Sequence, residues 1–289
     1  MLGAMHRYIL HNDSIREANE KVLSAGQVGF LNGWGVFSTI RVAQGVLFEY
    51  ERHFARMKRD AQLMRVPFPG DPDWLEQRLL RLVERNEANH STLRVAVVRN
   101  RGGLFEGPDL ETDFDVLAFT TGLNNWGSGV RLSVVPQGRH AGSRFAGVKF
   151  TSWSMNLAFH QEAHERGFDE VVLLNERGEV SECTSANIFI AEGRNVWTPP
   201  LDSGCLPGVT RDLLLSEIRV PGIRVDEKTL TLNDLEAADE VFITSTTRDL
   251  LPVLSVEGIR IRRQGNCRDA LQAAFSQHIE DYVCSHASA

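Results

Sequence analysis

Lysine is scarce in this chain. Among 289 residues only Lys21, Lys58, Lys149 and Lys228 carry an amine side chain, and arginine supplies the rest of the positive charge. Any chemistry that needs a nucleophilic amine therefore has four candidates. Positive charge is short as a whole: 31 Lys and Arg face 38 Asp and Glu, a formal net charge of −7. That balance argues against general binding to nucleic acid or an anionic membrane, since both need clustered positive charge. Cys183, Cys205, Cys267 and Cys284 are widely spaced, with no CxxC pair and no His/Cys cluster, so no zinc or other metal site is expected. No stretch approaches 18 consecutive apolar residues, and the first 20 residues lack the apolar run of a signal peptide or anchor. The expected location is cytoplasmic, with free thiols.

What is present suits a globular protein with a substantial core: 42% of residues are hydrophobic and 24% charged. Residues 36–42 and 46–50, joined by Ala43-Gln44-Gly45, read as a hairpin. Phe54, Met57, Ala61 and Met64 mark one face of a helix over 51–64, and its arginines by themselves read as a solvated face. Leu75, Leu79, Leu82 and Val83 mark a second helix over 74–87. Strands are expected at 93–99, 115–120 and 130–135. The Gly- and Asn-rich stretch 121–129 is the best domain junction. Beyond it come a helix over 154–166, strands EVVLL, NIFIA and NVWT, a helix over 209–218, a strand EVFIT and a terminal helix over 269–282. Strands interrupted by helices, without regular βαβ units, point to two α+β domains. These are a smaller one over 1–120 and a larger one over 130–289 that includes Lys149. A cleft between two such domains is a natural ligand site.

Four places in the sequence could carry chemistry. CLPGVTRDLLL (205–215) runs Pro-Gly into an amphipathic helix, and unpaired N–H groups of Val209 and Thr210 would favour an anion there. Read alone, it is better taken as an ordinary Pro-Gly turn with Thr210 as a cap. ITSTT (243–247) gathers hydroxyls at a strand end, which fits either a turn or a set of phosphate donors. Glu182 is a lone carboxylate among small residues, between two β-like runs. Lys149, in AGVKFTSW, reads by itself as a surface lysine.

Taken in order, GVFSTIRV, ERHFARM, Lys149, QEAHERGFDEVVLLN, SECTSANIF, LPGVTR and ITSTTRDLLPV resemble the class IV aminotransferases, the fold type IV pyridoxal-phosphate enzymes. These include branched-chain aminotransferases, D-amino acid aminotransferases and aminodeoxychorismate lyases. The resemblance runs from about residue 30 to 255. It implies a two-domain architecture like that of D-amino acid aminotransferase and a homodimer with active sites near the subunit interface. It also implies pyridoxal 5'-phosphate as cofactor, held by Lys149 as a Schiff base. Arg56, Val209, Thr210, Thr246 and Thr247 would hold the phosphate, Glu182 would pair with the pyridine nitrogen, and Leu206 would pack on the ring. Phe37, Arg94 and Trp153 would fall on the substrate side. Such an assignment is chemically coherent. The amine must lose its proton to attack an aldehyde, and a carboxylate at the ring nitrogen improves the electron sink.

The sequence departs from the family at several positions. Gly33-Trp34-Gly35 stands for a common Gly-Asp-Gly, and Ser38 for a glutamate after the strand's aromatic residue. Trp153 replaces a tyrosine that touches the cofactor's phenolic oxygen, leaving Asn156, Trp153 or water for that contact. The Arg-x-His carboxylate trap of the D-amino acid enzymes aligns with Leu104-Phe105-Glu106, which counts against that specificity. Arg94 aligns with a basic residue that contacts substrate carboxylate in several branched-chain enzymes and lyases; its other reading is an exposed strand residue. The leading expectation is amino transfer between an amino acid and a 2-oxo acid. A lyase releasing pyruvate from aminodeoxychorismate is the alternative, and a catalytically inactive protein of the same fold is a lesser one.

Overall fold

The computed structural model describes residues 4–104, 106–108 and 110–286; Phe105, of the carboxylate-trap comparison, lies outside the described residues. Within that range the chain forms two compact units. The first takes in 4–124, 148–153 and 279–286, the second 125–147 and 154–278.

The first unit contains β1 (Met5–His11), β2 (Ser14–Glu17), α1 (Val28–Asn32), β3 (Gly35–Ala43), β4 (Val46–Leu47), α2 (Tyr50–Met64), α3 (Pro72–Arg85), β5 (His90–Arg99) and β6 (Phe114–Gly122). Its six strands pair antiparallel in the order β2-β1-β6-β5-β3-β4. The first two strands were not anticipated from sequence. Gln44 and Gly45 both take positive φ, 51° and 83°, the turn whose twist matches a two-residue hairpin. The second hairpin strand is shorter than its apolar run, because Glu49 turns left-handed at φ 55° and α2 starts at Tyr50. Asp71 caps α3 by accepting from the Asp73 N–H at 3.0 Å, with Pro72 in the first turn.

Strand periodicity divides the labour of this sheet. Leu93, Val95 and Val97 of β5 and Val36, Ile40 and Val42 of β3 pack with Met57 of α2 and Leu75, Leu79 and Leu82 of α3 in one core. Ser38 shares the parity of Val36 and Ile40, whereas Phe37, Arg94 and Ala96 belong to the opposite face.

Residues 148–153 belong to this first unit, not to the 130–289 body in which sequence reading put Lys149. The physical reason is pairing with the start of β3. Phe37 N–H donates to Lys149 O at 3.1 Å, Thr151 N–H donates to Gly35 O at 2.9 Å, and Val36 bridges Phe150. Periodicity within a six-residue segment carries no trace of such a long-range pairing.

The second unit contains β7 (Val130–Val135), α4 (Ser154–Glu165), β8 (Glu170–Leu174), β9 (Val180–Cys183), β10 (Asn187–Glu192), β11 (Asn195–Thr198), α5 (Val209–Ser216), β12 (Arg224–Glu227), α6 (Leu232–Ala237), β13 (Glu240–Ser245) and β14 (Asp249–Val256). A last helix, α7 (Cys267–His286), begins in this unit and ends in the other. The sheet order is β12-β11-β10-β13-β14-β7-β8-β9. β7 runs parallel to both neighbours, and β12 runs parallel to β11, in an otherwise antiparallel ladder.

One buried ion pair ties three segments of this unit together. Glu170, fully buried at the start of β8, accepts from the hydroxyls of Thr184 and Ser185 and from Arg248 Nη2, the last at 3.2 Å. Arg248 also donates to Ser185 O at 3.1 Å and stacks 4.0 Å from the Trp126 ring centroid. The pair therefore braces the β9–β10 connection and the turn after β13. Removing one partner leaves a buried charge uncompensated. Glu170→Ala is expected to cost about 3–5 kcal/mol in urea unfolding, and Glu170→Ala/Arg248→Met less than that. A single variant as stable as wild type would contradict the bracing role.

Candidate active site

In the first unit the outer face of β3 and β5 gathers four of the residues singled out in the sequence. Phe37 lies opposite Ala96 and Thr39 opposite Arg94, so Arg94 is the diagonal neighbour of Phe37 on one face. The Arg94 guanidinium carbon is 3.8 Å from the Phe37 ring centroid and 5.8 Å from that of Trp153. Lys149 Nζ is 4.6 Å from the Phe37 centroid. Trp153 meets Phe37 edge-on, with centroids 6.2 Å apart. Two cations thus share one aromatic neighbour, an arrangement favourable for each alone and repulsive between them. Arg94 has no hydrogen-bonding or ion-pair partner among the described residues, and burial lowers its pKa below the ordinary guanidinium value. It nonetheless remains charged at neutral pH.

The Lys149 backbone is held from a second side: its N–H donates to Asp60 Oδ2 of α2 at 3.0 Å, and Arg59 pairs with the other oxygen of Asp60. On the inner face of β3, Arg56 Nη2 donates to Ser38 Oγ at 2.8 Å, and Ser38 Oγ lies 2.7 Å from His53 Nδ1. Burial first, then the charges of Arg56 and Lys149, push the His53 pKa well below its usual value, so the ring is neutral.

In the second unit Glu182 sits on β9, opposite Leu173 of β8. Its Oε1 accepts from Arg139 Nε at 3.0 Å and its Oε2 from the Leu206 N–H at 3.1 Å. Each carboxylate oxygen retains a further lone pair. Arg139 also donates to Asn156 Oδ1 at 3.1 Å, and Asn156 Nδ2 donates to Thr184 O at 2.6 Å. Asn156 is buried with both ends of its amide engaged, which makes it a strut for Arg139. The neighbouring thiols are inert: burial, followed by Glu182, raises Cys205 to about 11, and Cys183 is pushed well above its normal value by burial first.

Leu206 is locked on both sides. Its N–H goes to Glu182, and its carbonyl accepts from Asn187 Nδ2 at 2.8 Å and from Gly208 N–H at 2.8 Å. A Cβ on Gly208 would fall 2.1 Å from Asn187 Oδ1, so glycine is the residue that lets this turn close. α5 then begins at Val209 with no side-chain cap, leaving its first-turn N–H groups to another acceptor. Asn187 pairs with Thr244 across β10 and β13, which places the 206–210 turn and the 245–248 turn at the same ends of adjoining strands. Thr246 and Thr247 lie in the latter turn, closed by Arg248 N–H to Ser245 O at 3.2 Å. Thr247 O accepts from Trp126 Nε1 at 3.0 Å. The Thr244 and Ser245 hydroxyls beside it are buried with no hydrogen-bonding partner among the described residues.

Sequence reading missed several members of these clusters. The pairing of Arg139 with Glu182 has no local signature in the sequence. Glu170 could have been found, because a carboxylate opening the wholly buried run EVVLL demands a partner. His53 is the polar residue between apolar neighbours on the buried side of α2, a weaker signal. The three tyrosines are used elsewhere: Tyr50 OH donates to Pro72 O, Tyr282 OH donates to Glu51, and Tyr8 OH accepts from Arg85.

The profile of the family "Amino-transferase class IV" matches residues 35–256. The "Putative branched-chain-amino-acid aminotransferase" of Methanocaldococcus jannaschii is 31% identical over 272 residues, covering 92% of this chain and 94% of its own. A D-alanine aminotransferase of Bacillus licheniformis is 28% identical, over 86% of this chain and 88% of its own. Among solved structures, the Escherichia coli branched-chain amino acid aminotransferase superposes with a TM-score of 0.86 at 25% identity, covering 94% of each chain. The α+β architecture is that of the fold type IV enzymes. The chain belongs to the class IV aminotransferases, a family of pyridoxal-phosphate enzymes.

Proposed function

We propose that this protein is a pyridoxal-phosphate-dependent aminotransferase that moves an amino group from an amino acid to a 2-oxo acid, with Lys149 as the residue holding the cofactor. The observation that carries this reading is the grouping of Lys149 Nζ with an Arg94 guanidinium that lacks an anionic partner, on one aromatic ring. A half-buried cation without a counter-ion is a receptor for an anion, and the carboxylate of an amino or oxo acid fits it bidentately.

The residues present also fit the cofactor. An uncapped helix start at Val209 and Thr210 and the hydroxyl-rich turn at Thr246 and Thr247, flanked by orphaned buried hydroxyls, suit a phosphate. Arg56 is the cation for that phosphate. Glu182, held in place by Arg139 and the Leu206 N–H, keeps a lone pair for a protonated ring nitrogen, and Leu206 supplies apolar contact to the ring. When bound, pyridoxal phosphate provides the electron sink that stabilises negative charge at the substrate Cα. Lys149 Nζ would take the proton from that Cα as base and deliver it as acid to the cofactor carbon C4′, and the second half of the transfer would run the same exchange in reverse. Arg94 fixes the carboxylate so that the Cα–H bond presents itself to Lys149, and Phe37 and Trp153 exclude water beside it. A cytoplasmic homodimer is part of this proposal; among the described residues no helix is long and apolar enough to cross a membrane.

Four outcomes are expected. Lys149→Ala lowers turnover by at least about 10²–10⁴-fold; full turnover would remove Lys149 from the chemistry. Arg94→Ala weakens amino acid donors by about 10–100-fold, as expected for loss of a charge-assisted hydrogen bond, yet leaves a carboxylate-free amine donor unaffected. Equal losses with both donors would show that Arg94 does not read the carboxylate. Glu182→Ala slows Cα deprotonation, seen as a larger kinetic isotope effect with a Cα-deuterated donor, and an unchanged effect would deny Glu182 its electronic role. Across a panel of amino donors and oxo acids, new amino acid product is expected. Pyruvate release from aminodeoxychorismate with no amino transfer would favour the lyase instead.

A further inference from the structure

Ser38 is where this chain departs from the family's usual glutamate, and it sits between buried His53 and half-buried Arg56. Ser38 and His53 are 0% and 1% exposed. Ser38 Oγ has two polar neighbours, Arg56 Nη2 at 2.8 Å and His53 Nδ1 at 2.7 Å, while Arg56 Nη2 is 3.4 Å from His53 Nδ1. A guanidinium can only donate, so the bond from Arg56 uses a lone pair of Ser38 Oγ. Ser38 Oγ keeps a second lone pair, but the Arg56 Nη2 donor lies 3.4 Å from His53 Nδ1 and favours a lone pair on that nitrogen, which then accepts the Ser38 hydroxyl proton. It follows that the His53 ring proton resides on Nε2, and that atom is buried without a hydrogen-bonding partner among the described residues.

We propose that Ser38 and His53 form a neutral relay, Arg56 to Ser38 to His53, that orients the Arg56 guanidinium toward the cofactor phosphate. This rests on the reading of Arg56 as the phosphate cation. Ser38 and His53 are positioning residues: they act on the phosphate through Arg56. Serine in place of glutamate has a definite consequence. A carboxylate at position 38 would itself pair with Arg56 and share its charge, whereas a neutral hydroxyl orients the guanidinium without adding a counter-charge. Neutral His53 completes the device as a pure acceptor, since a protonated ring would repel Arg56 and could not receive the Ser38 proton. Burial and the nearby charges of Arg56 and Lys149 hold it neutral.

The test separates the relay from the role of Arg56. In histidine-15N-labelled holoenzyme, with the resonance assigned through His53→Gln, the relay predicts a neutral His53 carrying its proton on Nε2. A proton on Nδ1 would overturn it, whatever Arg56 does. Affinity for pyridoxal phosphate and for unphosphorylated pyridoxal is then measured by absorbance titration of the stripped protein. Ser38→Ala is expected to weaken pyridoxal phosphate about tenfold or more, the worth of a hydrogen bond to a charged group, with little change for pyridoxal. The near-isosteric Ser38→Cys, a poor acceptor, is expected to behave likewise, and serves if the alanine variant folds badly. Adding Ser38→Ala to Arg56→Ala is expected to cause no further loss. If Arg56→Ala alone leaves pyridoxal phosphate binding intact, the phosphate role fails. If Arg56→Ala weakens it and neither Ser38 variant does, the relay fails while the phosphate role stands.

Discussion

The short stretch of backbone that pairs residues 149–151 with the start of β3 is the constraint on which the placement of Lys149 depends. A lysine amine sits at the end of four rotatable bonds, and held by its side chain alone it would wander. Here three hydrogen bonds made by the 149–151 backbone hold its Cα in place, two to the β3 main chain and one to the buried Asp60 carboxylate. With the Cα fixed, the amine comes to rest near Phe37, and Phe37 in turn is placed by the register of β3 against β5 that brings Arg94 diagonally beside it. Local precision is obtained from sheet pairing, which is stiff, and not from loop packing.

The second unit applies the same logic to charge. Glu182 is buried, and an isolated buried carboxylate would be costly; Arg139 and the Leu206 N–H compensate it and fix its direction. Glu170 and Arg248 repeat the pattern, bracing the 184–185 connection and the turn after β13. Buried ion pairs of this kind are weak sources of net stability. Their worth lies in specifying one geometry for the Ser185, Leu206 and Thr246 segments, all of which are irregular backbone with no ladder to hold them.

Much of this fold was legible in the sequence, for identifiable reasons. Long periodic segments announced themselves: the β5 alternation of Leu93, Val95 and Val97, and the Leu75, Leu79 and Leu82 face of α3. β1 and β2 escaped because MHRYILH and SIRE carry polar residues on faces that the sheet leaves partly exposed. The domain membership of Lys149 was misread because its segment lies between strands and helices of the second unit in sequence and pairs with the first only in space. Within the candidate site, resemblance named the residues that motifs carry, Lys149, Glu182 and the two phosphate-type turns. It did not supply His53, Arg139, Glu170 or Arg248, whose partners lie 3 to 78 residues away and follow from packing alone. Trp153 was visible as a departure, and its edge-on contact with Phe37 became visible only with coordinates.

The central claim is that Lys149, among four lysines, holds the cofactor. The most direct measurement is borohydride reduction of the pyridoxal-phosphate-loaded protein, followed by digestion and peptide mapping by mass spectrometry. The account predicts a yellow protein whose visible-edge band disappears on reduction, with the phosphopyridoxyl mass on the peptide containing Lys149. A label on Lys21, Lys58 or Lys228 instead, or a protein that remains colourless and unlabelled after addition of pyridoxal phosphate, would contradict it.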